Sequence, residues 1–115
     1  MKQIKGFHEN CFACGEHVRN GLKLKFELLN NGILYGRFKM HKIYQGYDNI
    51  LHGGITTTIL DCSMINLFYM KDELELKTAR LNIRYGRPIP VEEDITVEAF
   101  AEDNIRHFER CRITI

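Results

Sequence analysis

The stretch Leu51-His52-Gly53-Gly54-Ile55-Thr56-Thr57-Thr58-Ile59-Leu60-Asp61 brings a histidine, two glycines, three threonines and a carboxylate together. Gly53 and Gly54 open an apolar helical run, so the first backbone N–H groups of that helix are not covered by side chains. Such N–H groups have no partner inside the helix and carry the positive end of its dipole. They suit an oxyanion, a phosphate or a polarised carbonyl. Asp61 follows almost two turns later and returns to the face of Gly54, Thr57 and Thr58. An oxyanion donor and a group that activates water are the two needs of acyl transfer. Each is worth a great deal: one donor about 10²–10³ in rate, one positioned base roughly 10²–10⁴.

Each of these residues also has a plainer reading. The glycines would serve a close loop-to-helix contact, and Asp61 would be a carboxylate bonded to Thr57, Thr58 or a loop N–H. The chemical reading is preferred because a lone acid in so apolar a helix is costly unless it is paired or opens to a cleft. His52, flanking the helix start, reads as a hydrogen-bonded positioning residue rather than a base. Thr56, Thr57 and Thr58 would line or cap the helix, and none sits in a nucleophile-elbow motif.

A second group stands near the start. His8-Glu9-Asn10-Cys11-Phe12-Ala13-Cys14-Gly15-Glu16-His17 holds a C-x-x-C with a histidine three residues outside each cysteine. His8, Cys11, Cys14 and His17 could in principle surround zinc. Zinc ribbons usually supply a second cysteine pair, so the preferred expectation is a tight turn with two half-buried thiols and no metal. Cys62 reads as a small core residue with nothing adjacent to lower its pKa. In a reducing compartment four cysteines do not make a disulfide framework.

The elements that must position these residues follow from hydropathy patterning. Leu22 to Leu28 alternates apolar with charged, the mark of a half-buried strand. Asn30-Asn31-Gly32 supplies a hairpin turn, and Ile33 to Phe38 the return strand. A loop over 41–50 carries Tyr44, Gln45, Gly46, Tyr47 and Asp48. Gly53 to about Met70 is the one long helix, apolar nearly all round and therefore expected to be buried. Thr78 to Tyr85 alternates again and ends at Gly86-Arg87-Pro88-Ile89-Pro90. Ile95, Val97, Ala99 and Ala101 mark a fourth strand, Asp103-Asn104 a turn, and Cys111, Ile113 and Ile115 a fifth strand. The order β-β-α-β-β-β predicts an α+β fold, an antiparallel sheet wrapped around one long central helix.

Composition bounds the rest. A chain of 115 residues predicts a single domain over 1–115, with residues 1–20 as a lead-in. A net charge of +1 gives no general basic field for nucleic acid. No apolar run approaches the ~20 residues that span a bilayer, and Met1-Lys2-Gln3-Ile4-Lys5 lacks an apolar signal core. A cytoplasmic protein, bound to neither nucleic acid nor membrane, is expected.

With this order in place, the sequence resembles the hotdog-fold acyl-CoA thioesterases, most closely the branch related to the phenylacetate-pathway thioesterases. The residues that carry the resemblance are Cys11-Phe12-Ala13-Cys14-Gly15 with Gly21-Leu22, Tyr44-Gln45-Gly46, and Leu51-His52-Gly53-Gly54 with Asp61. Thr78-Ala79-Arg80-Leu81-Asn82-Ile83 and Arg87-Pro88-Ile89-Pro90 match the strand and bend after the helix. The resemblance implies a homodimer, or a tetramer built from it, whose sheets join edge to edge with two active sites in the interface. By that resemblance Gly53 or Gly54 would direct an N–H at the thioester carbonyl, His52 would position the loop, and Gln45 would lie near the attacking water. Asp61 and Thr78 would come from the partner subunit, Asp61 as general base or nucleophile. Arg84 and Arg87 could meet the phosphates of CoA, although solvated surface arginines are the preferred reading. No cofactor and no catalytic metal are expected. Many relatives carry a further strand after the fifth, so the sheet is expected to be shorter here or its edge covered otherwise.

The functional expectation is therefore hydrolysis of an acyl-CoA to a carboxylic acid and free CoA. Its rivals are a hotdog protein that binds acyl-CoA as a sensor without hydrolysis, and a zinc-stabilised interaction protein. Met64, Phe68, Tyr69 and Tyr47 would admit aryl or medium-chain acyl groups, but core packing explains them as well.

Overall fold

The computed structural model of the protein describes residues 7–103 and 108–114. Features expected at Met1–Lys5, at Asn104 and at Ile115 lie outside them. The elements are β1 (Glu27–Leu28), β2 (Leu34–Lys39), a 3-10 turn (Lys42–Tyr44), α1 (Gly53–Asp72), β3 (Asp94–Asp103) and β4 (Phe108–Thr114). The strands form one antiparallel sheet in the order β1-β2-β3-β4. The helix packs on one face of that sheet, chiefly against β3 and β4. Among the described residues no helix is long and apolar enough to cross a membrane.

Alternation decides which face of the sheet is dry. Leu34 pairs with Ala99, Gly36 with Val97 and Phe38 with Ile95. Leu34, Ile95, Val97 and Ala99 are buried beneath Ile59 and Leu67 of the helix. The hairpin between β1 and β2 turns where expected. Gly32 takes a positive φ of 86°, and the Asn31 side chain accepts from the Ile33 N–H at 3.1 Å.

Three expectations are corrected. The strand read over Leu22–Leu28 pairs in the sheet only at Glu27–Leu28. Its first half is bonded elsewhere: the Leu22 and Leu24 N–H groups donate to Phe12 and Ala13 of the lead-in, with Lys23 between them at a φ of 52°. The strand read over Thr78–Tyr85 forms no ladder among the described residues; residues 74–89 run as an irregular segment, largely exposed, beside the helix. Its alternation has no neighbouring strand among the described residues to pair with. Finally, α1 is not buried all round. Thr56, Ile59, Ser63, Asn66, Leu67 and Met70 make its dry stripe, while Leu60, Met64 and Ile65 are only half covered. One sheet on one side can cover only one face.

Ser63 and Asn66 in that dry stripe bond to the helix itself. Ser63 Oγ donates to the Leu60 carbonyl at 2.7 Å and Asn66 Nδ2 to the Cys62 carbonyl at 2.8 Å. The helix ends at Glu73, whose left-handed backbone turns its N–H onto the Phe68 and Tyr69 carbonyls.

Candidate active site

His52 is the N-cap of α1. Its backbone is extended, and its Nδ1 accepts from the Gly54 N–H at 2.9 Å, while its carbonyl accepts from Thr56. An accepting Nδ1 carries no proton, so the neutral ring holds its N–H on Nε2. Gly54 is thereby committed. The Gly53 N–H, one residue earlier, faces no acceptor among the described residues.

The loop before the helix is braced by its own polar groups. His41 Nδ1 accepts from Ile43, and Gln45 Oε1 accepts from the Asn49 N–H at 3.0 Å. Gln45 and Leu51 form an isolated bridge, and the His52 N–H donates to the Tyr44 carbonyl at 2.8 Å. These bonds shape a groove of about 350 Å³ lined by Ile43, Tyr44, Gln45, His52, Gly54, Ile55 and Thr58. Its walls are mostly apolar with a few polar groups, and it is wide open to solvent.

Asp61 lies outside this groove, half-buried on the helix, and accepts from Thr78 Oγ1 at 2.5 Å. Thr78 sits on the irregular segment after the helix, and the other end of that segment returns to the helix start. There the Tyr85 hydroxyl donates to the Gly53 carbonyl at 3.1 Å and meets Thr57 Oγ1, with its ring against Gly53. Sequence reasoning missed Tyr85, which its alternation assigns to an apolar strand face; only its place at a strand end beside Gly86 hinted at another use. Thr57 and Thr58 turn their hydroxyls back onto the Gly53 and Gly54 carbonyls. Arg84 and Arg87 stand exposed on the same segment as Thr78 and Tyr85.

The helix start and the carboxylate are thus held by separate devices. From Gly53 to Asp61 the helix rises about 12 Å. One reacting carbonyl needs an oxyanion donor near 3 Å and a water-activating group within about the same reach. Within one chain the two stand about two helical turns apart.

Away from this face, His8, Cys11 and Cys14 bring their ligand atoms within 4.8 Å of one another. His17 does not join them; its Nδ1 lies 3.6 Å from Glu9 at the surface. Cys62 does. Asn66 Nδ2 reaches both sulfurs, at 3.3 Å for Cys62 and 3.7 Å for Cys14. The bond from Cys62 holds the Cys14 thiol down to about 5 against the opposing effect of burial, with Asn66, His8 and Cys11 adding to it. The same bond, with burial, pushes the Cys62 thiol up.

Three solved structures share this architecture. A thioesterase superfamily protein superposes with a TM-score of 0.70 at 23% identity, over 87% of this chain and 54% of its own. A thioesterase superfamily protein from Shewanella loihica gives 0.69 at 15% identity, over 87% and 84%. Zebrafish thioesterase superfamily member 2 gives 0.67 at 19% identity, over 85% and 72%. The fold is the hotdog fold. Against the first of these structures the chain spans about half the length. No protein-family model and no curated protein sequence matches the chain. In this hotdog the helix start and its groove lie at one end of the central helix, and the Asp61–Thr78 pair lies two turns further along.

Proposed function

We propose that the protein hydrolyses an acyl-CoA thioester, acting as a homodimer whose sites each combine the helix start of one chain with Asp61 of the other. The observation that carries this reading is the bonded Asp61–Thr78 pair, about 12 Å of helical rise beyond Gly53 of its own chain. The irregular segment supplies the rest of the argument, because Thr78 stands at its Asp61 end and Tyr85 at its Gly53 end. Antiparallel apposition of this segment with a second copy sets the carboxylate end of each chain beside the glycine end of the other. The half-covered Leu60, Met64 and Ile65 and the exposed Leu81 favour such a partner.

In this site the Gly53 N–H binds the thioester oxygen as it gains charge, and His52 fixes the turn that aims it. The carboxylate of Asp61 takes a proton from water as water adds to the carbonyl. The tetrahedral intermediate then collapses, breaking the carbon–sulfur bond as the proton held by Asp61 passes to the leaving thiolate. CoA thiol and carboxylic acid are released, and Asp61 is again a carboxylate. Direct attack by Asp61 is the other form of this chemistry; single-turnover hydrolysis in heavy-oxygen water labels Asp61 only in that case. Gln45 braces the groove, and Arg84 and Arg87 are the cations nearest in sequence to Tyr85 that could meet CoA phosphates. A cytoplasmic setting and the phenylacetate-related branch belong to the same reading.

The test is hydrolysis of a panel of short, medium, long and aromatic acyl-CoAs by the parent and by Asp61→Asn. The parent is expected to turn over at least one member, and the variant to lose about 10²–10⁴ in rate while melting like the parent. Equal turnover by both removes Asp61 from the mechanism. Thermal stabilisation by acyl-CoA without product is the signature of a sensor and overturns the proposal.

A further inference from the structure

The lead-in holds a group of side chains that thioester hydrolysis does not use. We propose that His8, Cys11, Cys14 and Cys62 bind one zinc ion, which pins the lead-in to the central helix. Three thiols and an imidazole are the ligand types that zinc takes in closed structural sites. Tetrahedral bonds of about 2.3 Å to sulfur and about 2.0–2.1 Å to nitrogen put such ligands about 3.6 Å apart. His8 Nδ1 and Cys14 Sγ are 3.8 Å apart, and His8, Cys11 and Cys14 all fall within 4.8 Å of one another. Cys62 is the buried thiol on the helix side of the set, with one Asn66 Nδ2 reaching it at 3.3 Å and Cys14 at 3.7 Å.

Two features constrain the loop in this arrangement. His8 adopts a φ of 54°, a left-handed backbone in a residue with a full side chain. Its ring is stacked on Phe7 at 3.8 Å, and Phe7 in turn on Tyr69 of the helix at 3.8 Å. Backbone strain of this kind persists where the surroundings enforce it. Gly15 closes the turn so tightly that a Cβ there would lie 2.4 Å from the Glu9 carbonyl and 2.5 Å from the Cys11 nitrogen. The N–H bonds from Cys11 to His8 and from Gly15 to Cys11 fix the loop between the ligands. His17, which spacing alone offers as a ligand, is turned away to Glu9. The fourth ligand comes instead from 48 positions beyond Cys14, out of reach of any local motif.

The full chain, expressed with zinc and purified under reductant without chelator, is expected to carry about one zinc per chain. Cys11→Ser and Cys14→Ser are expected to lose it, and His17→Ala to keep it. Cobalt(II) in place of zinc is expected to show thiolate-to-metal charge transfer, reduced by roughly a third in Cys62→Ser because one of three thiolates is gone. Stripping the metal is expected to lower the unfolding midpoint of the parent chain. Parent protein without stoichiometric zinc, or with cobalt bound but no thiolate band, overturns the site. An unchanged cobalt band in Cys62→Ser overturns the fourth ligand, and equal midpoints with and without metal overturn the structural role. None of these readouts uses acyl-CoA, so the site stands or falls apart from the thioesterase reading.

Discussion

At the scale of residues, Gly53 and Gly54 are equivalent in sequence but not in the folded chain. The His52 ring takes the Gly54 N–H, which leaves Gly53 as the donor that a substrate oxygen can meet. Proline tests this with little cost to the fold. The first helical position tolerates proline because its N–H has no helical partner, and the residue before it must be extended. His52 has a ψ of 133°, and a Cβ at Gly53 would meet Tyr85 only at an ordinary 3.7 Å. Gly53→Pro is therefore expected to fold as the parent does, by circular dichroism and melting, yet to lose about 10²–10³ in kcat. Activity within a few-fold of the parent would assign the oxyanion to another donor. Gly54→Ala is a less clean probe, since its Cβ would press on His52 Nδ1 at 3.1 Å and disturb the cap itself.

At the scale of elements, one helix carries both the cap and the carboxylate, so its seat on the sheet sets where each can be. Leu67 has no exposed surface and packs in the cluster that joins α1 to β2 and β3. Leu67→Ala is expected to cost about 2–5 kcal/mol in urea unfolding, because the surrounding strands relax only partly into the gap. A loss under 1 kcal/mol would mean that the helix is held mainly by something other than this face. The helix, the hairpin and β3 were legible in the sequence, since hydrophobic period and turn residues encode them locally. Leu22–Leu28 and Thr78–Tyr85 show the limit of such reading. Their alternation records which side chains are wet and which dry, and the burial of Leu24 and Phe26 follows it. It does not record whether a strand lies alongside to complete a ladder. The same limit governs the two functional clusters. His52-Gly53-Gly54 is local and was legible, whereas the Tyr85 contact with the helix start and the approach of Cys62 to Cys14 are long-range and were not.

At the scale of the whole molecule, a composite site makes activity a property of pairs of chains. Asp61→Asn removes the carboxylate from both sites of a dimer, and Gly53→Pro removes the donor from both. In a mixed dimer the two defects fall together in one site, and the other site keeps an intact Gly53 and an intact Asp61. Random reassortment of equal amounts makes half of all dimers mixed, and half of the sites in those are whole. Mixing two nearly inactive variants, after mild dissociation and return to native conditions, should restore roughly a quarter of parental activity per chain if the groups act across the interface. If each chain instead carried its own complete site, every chain in the mixture would still lack one group, and activity would stay at the level of the variants. The rise helix geometry sets between Gly53 and Asp61, about 12 Å, makes the second outcome the one that the fold disfavours. Dilution is the companion measurement. Specific activity should fall as the concentration drops through the dimer dissociation constant, and saturating acyl-CoA should move that fall to lower concentration, because a ligand that binds only the paired state stabilises it by mass action.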